Sequence, residues 1–272
     1  MRKYLAAASA LLLLFVQGCV SVNKQAFNQA AHREIREIVL LEPKSWDDYE
    51  AVVMNHAAAG FGLIGGLIIA AEISTKSNTL TKSLQPFNWQ VSQALSAQLE
   101  SDLKAAGYSV KRLPVVRDVS LLKDYKAIRP LDSANDVGQP HAWLDVAIQK
   151  PAYVANSHAA NYVPSLRVFV RLVTADKQLI VYEEQIFYGH SFPSGVSLKA
   201  DSTYSFANMD ALTAKPDVTM EGLREGVRQV SLRIASDLRH ADRAAAIPTA
   251  AATTVAPATT ESATVQAAPA VR

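Results

Sequence analysis

The sequence predicts an α+β domain, sandwich-like, in which a mostly antiparallel mixed sheet carries two long amphipathic helices on one face. Three observations point to it. Val91, Leu95, Leu99 and Leu103 recur every four residues, and Met220, Leu223, Val227, Val230, Ile234 and Leu238 recur every three or four. Each set lays an apolar stripe along a helix. Between them, Ala142, Leu144, Val146 and Ile148 alternate with Trp143, Asp145, Ala147 and Gln149, the period of a strand. Leu166, Val168, Val170 and Leu172 repeat that alternation ahead of a third β-rich run at 179–188, and the short polar stretch between them makes a hairpin.

The other elements follow in order. Residues 34–41 (EIREIVLL) read as a strand closed by Pro43, and 49–54 as a second, shorter one. Residues 88–106 form the first amphipathic helix, with Asn88 placed to cap it and Gly107 supplying the left-handed residue after its end. The chain resumes as a strand from Tyr108, then a short helix at 120–127 and a loop at 130–140. In the hairpin one sheet face is apolar, and Arg167, Arg171, Glu183 and Glu184 are expected on the other, solvated face. Residues 189–215, polar and aromatic, read as a long loop. The last helix covers 218–239, with Asp217 or Thr219 as cap and Arg239 at its negative end.

Composition excludes more than it names. The chain has 272 residues, and 27 Lys+Arg against 25 Asp+Glu leave a formal charge of +2, too balanced for nucleic-acid binding by counterion release. A single cysteine rules out an internal disulfide and nearly excludes a Cys-based zinc or iron–sulfur site. Its setting is informative. Arg2 and Lys3 precede an uncharged run from Leu5 to Val16, the layout of a secretory leader too short to span a bilayer. The stretch Val16-Gln17-Gly18-Cys19 resembles the lipobox of bacterial lipoproteins. That resemblance implies diacylglycerol on the Cys19 thiol, cleavage before it, and acylation of the new amine. With Val20 rather than Asp next, it also implies the periplasmic face of the outer membrane. Removal of 1–18 takes away Arg2 and Lys3, leaving 25 basic against 25 acidic side chains.

The division expected is therefore a signal peptide at 1–18, a lipidated tether at 19–33, one periplasmic domain at 34–240 and a tail at 241–272. The tail is rich in Ala, Thr and Pro and has almost no large apolar side chains to offset the entropy of ordering it, so it reads as disordered. The domain's element order resembles the amino-terminal domain of TolB and the periplasmic domain of curli-secretion-channel lipoproteins. A long helix ending in Leu103-Lys-Ala-Ala-Gly-Tyr-Ser-Val110, turning at Gly107 into a strand, carries the likeness. Fold analogy alone assigns no function.

Residues 57–71 (AAAGFGLIGGLIIAA) hold no charge and are bounded by His56 and Glu72. As a helix they span about 22 Å, short of a hydrocarbon core of about 30 Å. Ala58, Gly62, Gly66 and Ala70 repeat every four residues, a small-residue stripe that allows close helix contact. Three readings stand: burial against the domain's own sheet, self-association or docking onto another envelope protein, and insertion into a membrane.

Catalytic patterns are thin. Among six histidines no pair has HExxH spacing, and His141 and His158 flank strands that could bring them together. Gly189-His190-Ser191-Phe192-Pro193 begins like a nucleophile elbow, but Pro193 replaces the last glycine. Gly60, Gly62, Gly65 and Gly66 lack phosphate-loop spacing, and the adjacent pairs Asp47-Asp48 and Glu183-Glu184 point to opposite faces of a strand. Aromatics concentrate between 150 and 210, where the 189–215 loop is a candidate binding surface. The expectation is a non-enzymatic, lipid-anchored envelope protein without metal or cofactor, oligomerising or docking in a secretion, transport or assembly complex. The alternative is an anchored binding protein for a lipid or apolar small molecule.

Overall fold

The run VPSLRVFVRLVT, rich in β-branched and aromatic side chains, makes one strand long enough to organise the whole sheet. In the computed structural model, which describes residues 24–114, 141–176 and 179–239, this strand is β6 (Val163–Thr174). Along one edge it pairs antiparallel with β7 (Ile180–Tyr188), the expected hairpin. Its other edge is shared, residues 163–165 pairing with β5 (Ala152–Ala155) and 168–174 with β4 (Ala142–Ile148), both antiparallel. β1 (Glu37–Leu41) adds parallel to β4, and β3 (Ser109–Leu113) parallel to β1. β2 (Glu50–Val53) adds parallel to β5, and β8 (Val196–Leu198) parallel to β7. The domain is thus α+β, with a mixed sheet of eight strands among the described residues. The central ladders are antiparallel as expected, and the outer strands join in parallel.

Four helices accompany the sheet among the described residues: α1 (Gly62–Leu84), α2 (Val91–Ala105), α3 (Met209–Thr213) and α4 (Pro216–Leu238). α2 and α4 lie side by side on one face, tied by Ser231 Oγ donating to Asp102 Oδ2 at 2.6 Å. Their stripes, including Leu95, Leu99, Leu103, Leu223, Val230 and Ile234, are buried with Leu166, Val168, Val170 and Leu172 of β6 in one core. Gly107, at φ 94°, closes α2 as expected: its N–H reaches the Lys104 carbonyl at 2.9 Å, and Tyr108 N–H reaches Leu103 at 3.0 Å.

Several expectations are corrected. Asn88 is not the cap of α2. It sits in the left-handed region (φ 45°) after a 3₁₀ turn, Gln85–Phe87, and the helix starts beyond Gln90, whose side chain makes no capping bond. α4 starts instead at Pro216, whose missing N–H removes one of the donors a helix start leaves unpaired. Thr219 is buried, its hydroxyl donating to the Leu212 carbonyl at 2.8 Å. The 189–215 stretch is not all loop, since it holds β8, α3 and a 3₁₀ turn, Ser202–Tyr204.

The charged sheet face is not a solvated one either. The register places Arg171 between Asp145 and Glu183, and Arg171 and Asp145 are both buried, N to O at 3.6 Å. Glu184 falls on the helix-covered side, buried and 3.2 Å from Lys24 Nζ. Gln25 also pairs with β7, as an antiparallel bridge to Glu183. The leader, Cys19, the expected helix at 120–127, the loop at 130–140 and the tail lie outside the described residues.

Candidate functional site

α1 is divided by what each half touches. Its C-terminal half lies along the edge of β2. Ser77 Oγ accepts from Ala51 N–H at 3.1 Å and Thr81 Oγ1 from Tyr49 N–H at 3.0 Å, so hydroxyls one turn apart stand where a neighbouring strand would. Leu80 and Leu84 on the same half are buried.

Its N-terminal half leaves the core. Leu63 is 84% exposed, Ile64 70%, Leu67 65% and Ile68 51%. Gly62, Gly66, Ala70 and Ala71 are exposed too, and Gly65 is the buried residue of this half. Residues 62–71 are therefore a stub that is apolar on its exposed sides. This overturns the reading in which 57–71 is buried against its own sheet. Nor is the stripe continuous along one helix. Ala58 is buried in a 3₁₀ turn, Ala57–Phe61, and Gly62 switches the backbone from that turn into α1 at φ 59°. A Cβ at Gly66 would meet nothing within 4 Å, so no neighbour in the domain requires glycine there.

At the foot of the stub the charges return as a cluster. His56 caps the 3₁₀ turn, Nδ1 accepting from Ala58 N–H at 3.1 Å, and its Nε2 is bonded to Glu72 Oε2. Lys76 Nζ donates to Glu72 Oε1 at 2.5 Å and to Tyr162 Oη at 2.9 Å. His158, from the turn after β5, stands edge-on to His56 with ring centres 4.7 Å apart and Nδ1 3.8 Å from Glu72 Oε1. Sequence reasoning missed this cluster, which has no spacing signature. The two ends of the uncharged run, His56 and Glu72, were its available signal. The expected meeting of His141 and His158 does not occur. His141 accepts from Arg36 N–H at 3.0 Å at the start of β1, beside the opposite end of β6.

Two imidazoles and a carboxylate with ligand atoms within 4.8 Å of one another have the composition of a divalent-metal site. Hydrogen bonds join the same atoms. His56 accepts from Ala58 N–H at Nδ1, which leaves Nε2 to donate to one Glu72 oxygen, and Lys76 donates to the other. The group acts as a clasp, holding the 3₁₀ turn, α1 and the start of β6 together.

Glu72 titrates at about 2, lowered first by the hydrogen bond from His56 and then by that from Lys76. Because this folded value lies below the ordinary 4.5, the clasp's contribution is present above about pH 4.5 and is lost as pH falls towards 2. Glu72→Gln should lower unfolding free energy near neutral pH by about 1 kcal/mol, the solvent-screened worth of charge-assisted bonds. The gap from wild type should close on acidification, which urea unfolding at several pH values reads. A gap constant with pH would mean that the carboxylate charge contributes nothing.

The elbow-like run takes no hydrolase form. Gly189 has φ 86°, but β7 leads through it to a turn and then strand β8, not to a helix, and His190 Nε2 bonds Asn156 Oδ1 at 3.2 Å.

No family model matches the chain, and no curated protein matches it. Solved structures overlap it at low identity. The PelC dodecamer from Paraburkholderia phytofirmans is 10% identical over 80% of this chain and 96% of its own, with a TM-score of 0.34. Protein XCC0632 from Xanthomonas campestris, of the family DUF330, is 8% identical over 85% of this chain and 94% of its own, at 0.39. Lipoprotein GNA1162 from Neisseria meningitidis is 12% identical over 58% of this chain and 88% of its own, at 0.27. These scores are too low to transfer any role. Among the described residues no helix is long and apolar enough to cross a membrane.

Proposed function

We propose that this chain is a non-enzymatic, lipid-anchored protein of the bacterial envelope that works by contact, presenting its apolar stub to another envelope component. The observation that carries the reading is the exposure of Leu63, Ile64, Leu67 and Ile68 on one rooted helix. Soluble domains seldom leave such a contiguous patch uncovered unless it meets a partner. The clasp supports the same reading, since it fixes the foot of an element that contributes little to the core. The lipobox-like Val16-Gln17-Gly18-Cys19 supports anchoring through acyl chains on Cys19, with the periplasmic face of the outer membrane as the destination.

The anchor is tested by intact mass and by washing. Mature wild type should begin at Cys19, carry its acyl mass and resist alkaline extraction from membranes, whereas Cys19→Ala should be extracted. An unextractable Cys19→Ala protein would overturn the anchor. The contact is tested on Leu63→Asp with Leu67→Asp. These should leave unfolding unchanged and abolish the protein's activity in cells that lack the wild-type copy. Full activity of the folded double variant would remove the stub from the function.

A further inference from the structure

We infer that the stub's partner is lipid: residues 62–71 enter the bilayer to which Cys19 is attached. This rests on the reading of the stub as a docking element and names what it docks into.

The apolar surface of the stub is not one-sided. Leu63, Ile64, Leu67 and Ile68, with exposed Gly62, Gly66, Ala70 and Ala71, surround most of the helix, and only the side of buried Gly65 and half-buried Ile69 faces the domain. A protein partner seated on a helix covers one strip of it, whereas lipid covers every side the domain leaves open. Area separates the two cases. At 1.5 Å per residue and a diameter of about 10 Å, the stub has a lateral surface of about 470 Å². One side of it is about 240 Å², far below the roughly 800 Å² per partner of a stable protein interface. Its length of about 15 Å is half a hydrocarbon core, so it enters without crossing. The ionisable side chains begin at the foot, with His56, Glu72, Lys76 and His158, where the headgroup level would lie. The turn beside the stub brings its own backbone pairing, Ala59 N–H to the His56 carbonyl at 3.0 Å.

The first described residues of the tether lie along β7. Lys24 is 3.2 Å from Glu184, and Gln25 pairs antiparallel with Glu183. Of these two residues Lys24 is therefore the nearer to the C-terminal end of β7. That end is joined to the stub's foot, because His190 bonds Asn156 and the turn after Asn156 carries His158. Glu184 and Tyr188, the last residue of β7, are about 13 Å apart along the strand. Cys19 lies at most about 18 Å of extended chain from Lys24. Acyl chains on Cys19 thus keep β7, whose C-terminal end adjoins the stub's foot, near the bilayer.

The test places a fluorophore on the stub of the full-length chain. Acylation blocks Cys19, the one natural cysteine, so Leu67→Cys takes an environment-sensitive label alone. In vesicles of phosphatidylethanolamine and phosphatidylglycerol, that label should shift to the blue and be quenched by brominated acyl chains several-fold more than one at Leu232→Cys, an exposed position on α4. Leu63→Asp should remove the quenching without altering unfolding. A label that stays in water overturns the proposal. So does a blue shift that grows with protein density and resists bromolipid, which would mean contact with a second copy. The same label in Cys19→Ala should still be quenched in excess lipid, which separates the stub from the anchor. Quenching there with no acyl mass on wild type would sink the anchor and leave the stub standing.

Discussion

Leu99→Ala should cost the fold about 3 kcal/mol, while Leu67→Ala, the same change one helix earlier, should cost almost nothing. Leu99 is fully buried at the centre of the α2 stripe, between Leu95 and Leu103 and against the core that α4 and β6 share. Truncating it removes the transfer free energy of the lost carbons and leaves a cavity that packed neighbours fill only partly. Leu67 is 65% exposed, so its truncation opens no cavity, and Ala is the better helix former. Urea unfolding of the two variants in the Cys19→Ala background, free of lipid, measures both. Comparable losses at the two positions would mean that the stub packs on the domain, and would remove the basis for a contact role as well.

The contrast between these two leucines also shows where sequence reasoning ends. The stripes of α2 and α4 were legible because burial on one side of a helix writes itself into the spacing. Gly107 was legible because a left-handed residue after a helix has a narrow choice of side chains. The alternation of β4 and β6 was legible for the same reason as the stripes, and β7 was legible from its β-branched and aromatic side chains. β5 was not, because its four residues, AYVA, are all buried and leave no period to detect. The parallel pairing of β1, β2 and β3 was not, because alternation gives a strand's faces and never its neighbours. The 57–71 run was visible as apolar, but burial in protein and exposure select the same side chains there. What decides is whether anything lies beside it, and that is a tertiary fact. The clasp unites His56, Glu72, Lys76, His158 and Tyr162 from three separate stretches, and only the fold brings them into reach. Asn88 shows the opposite failure. A residue of the right type stood at the expected place, and the 3₁₀ turn before it took a conformation that made capping impossible.

Glycine offers a second paired experiment, in which one substitution should act with opposite signs at two positions. In α4, a Cβ at Gly226 would lie 2.7 Å from Tyr188 Cδ1 and 2.9 Å from Leu166 Cδ1, two buried side chains that face each other across β6 and β7. One turn earlier, a Cβ at Gly222 would lie 2.5 Å from Tyr153 Oη, which is held by its bond to the Thr219 carbonyl at 2.9 Å. The two glycines let α4 sit closer to the sheet than any side chain would allow. Gly226→Ala therefore gains about 1 kcal/mol of helix propensity and loses more to overpacking, which runs to about 3 kcal/mol in a tight core. The expected net loss is about 2 kcal/mol. Gly66→Ala meets no atom within 4 Å and should keep its propensity gain, stabilising the lipid-free protein by up to about 1 kcal/mol. Unfolding measured side by side checks the pair. A stabilising Gly226→Ala would mean that α4 does not seat as closely as these distances require. A destabilising Gly66→Ala would mean that the stub's glycines answer to a packing neighbour, which is what a second copy of the chain would supply and a bilayer would not.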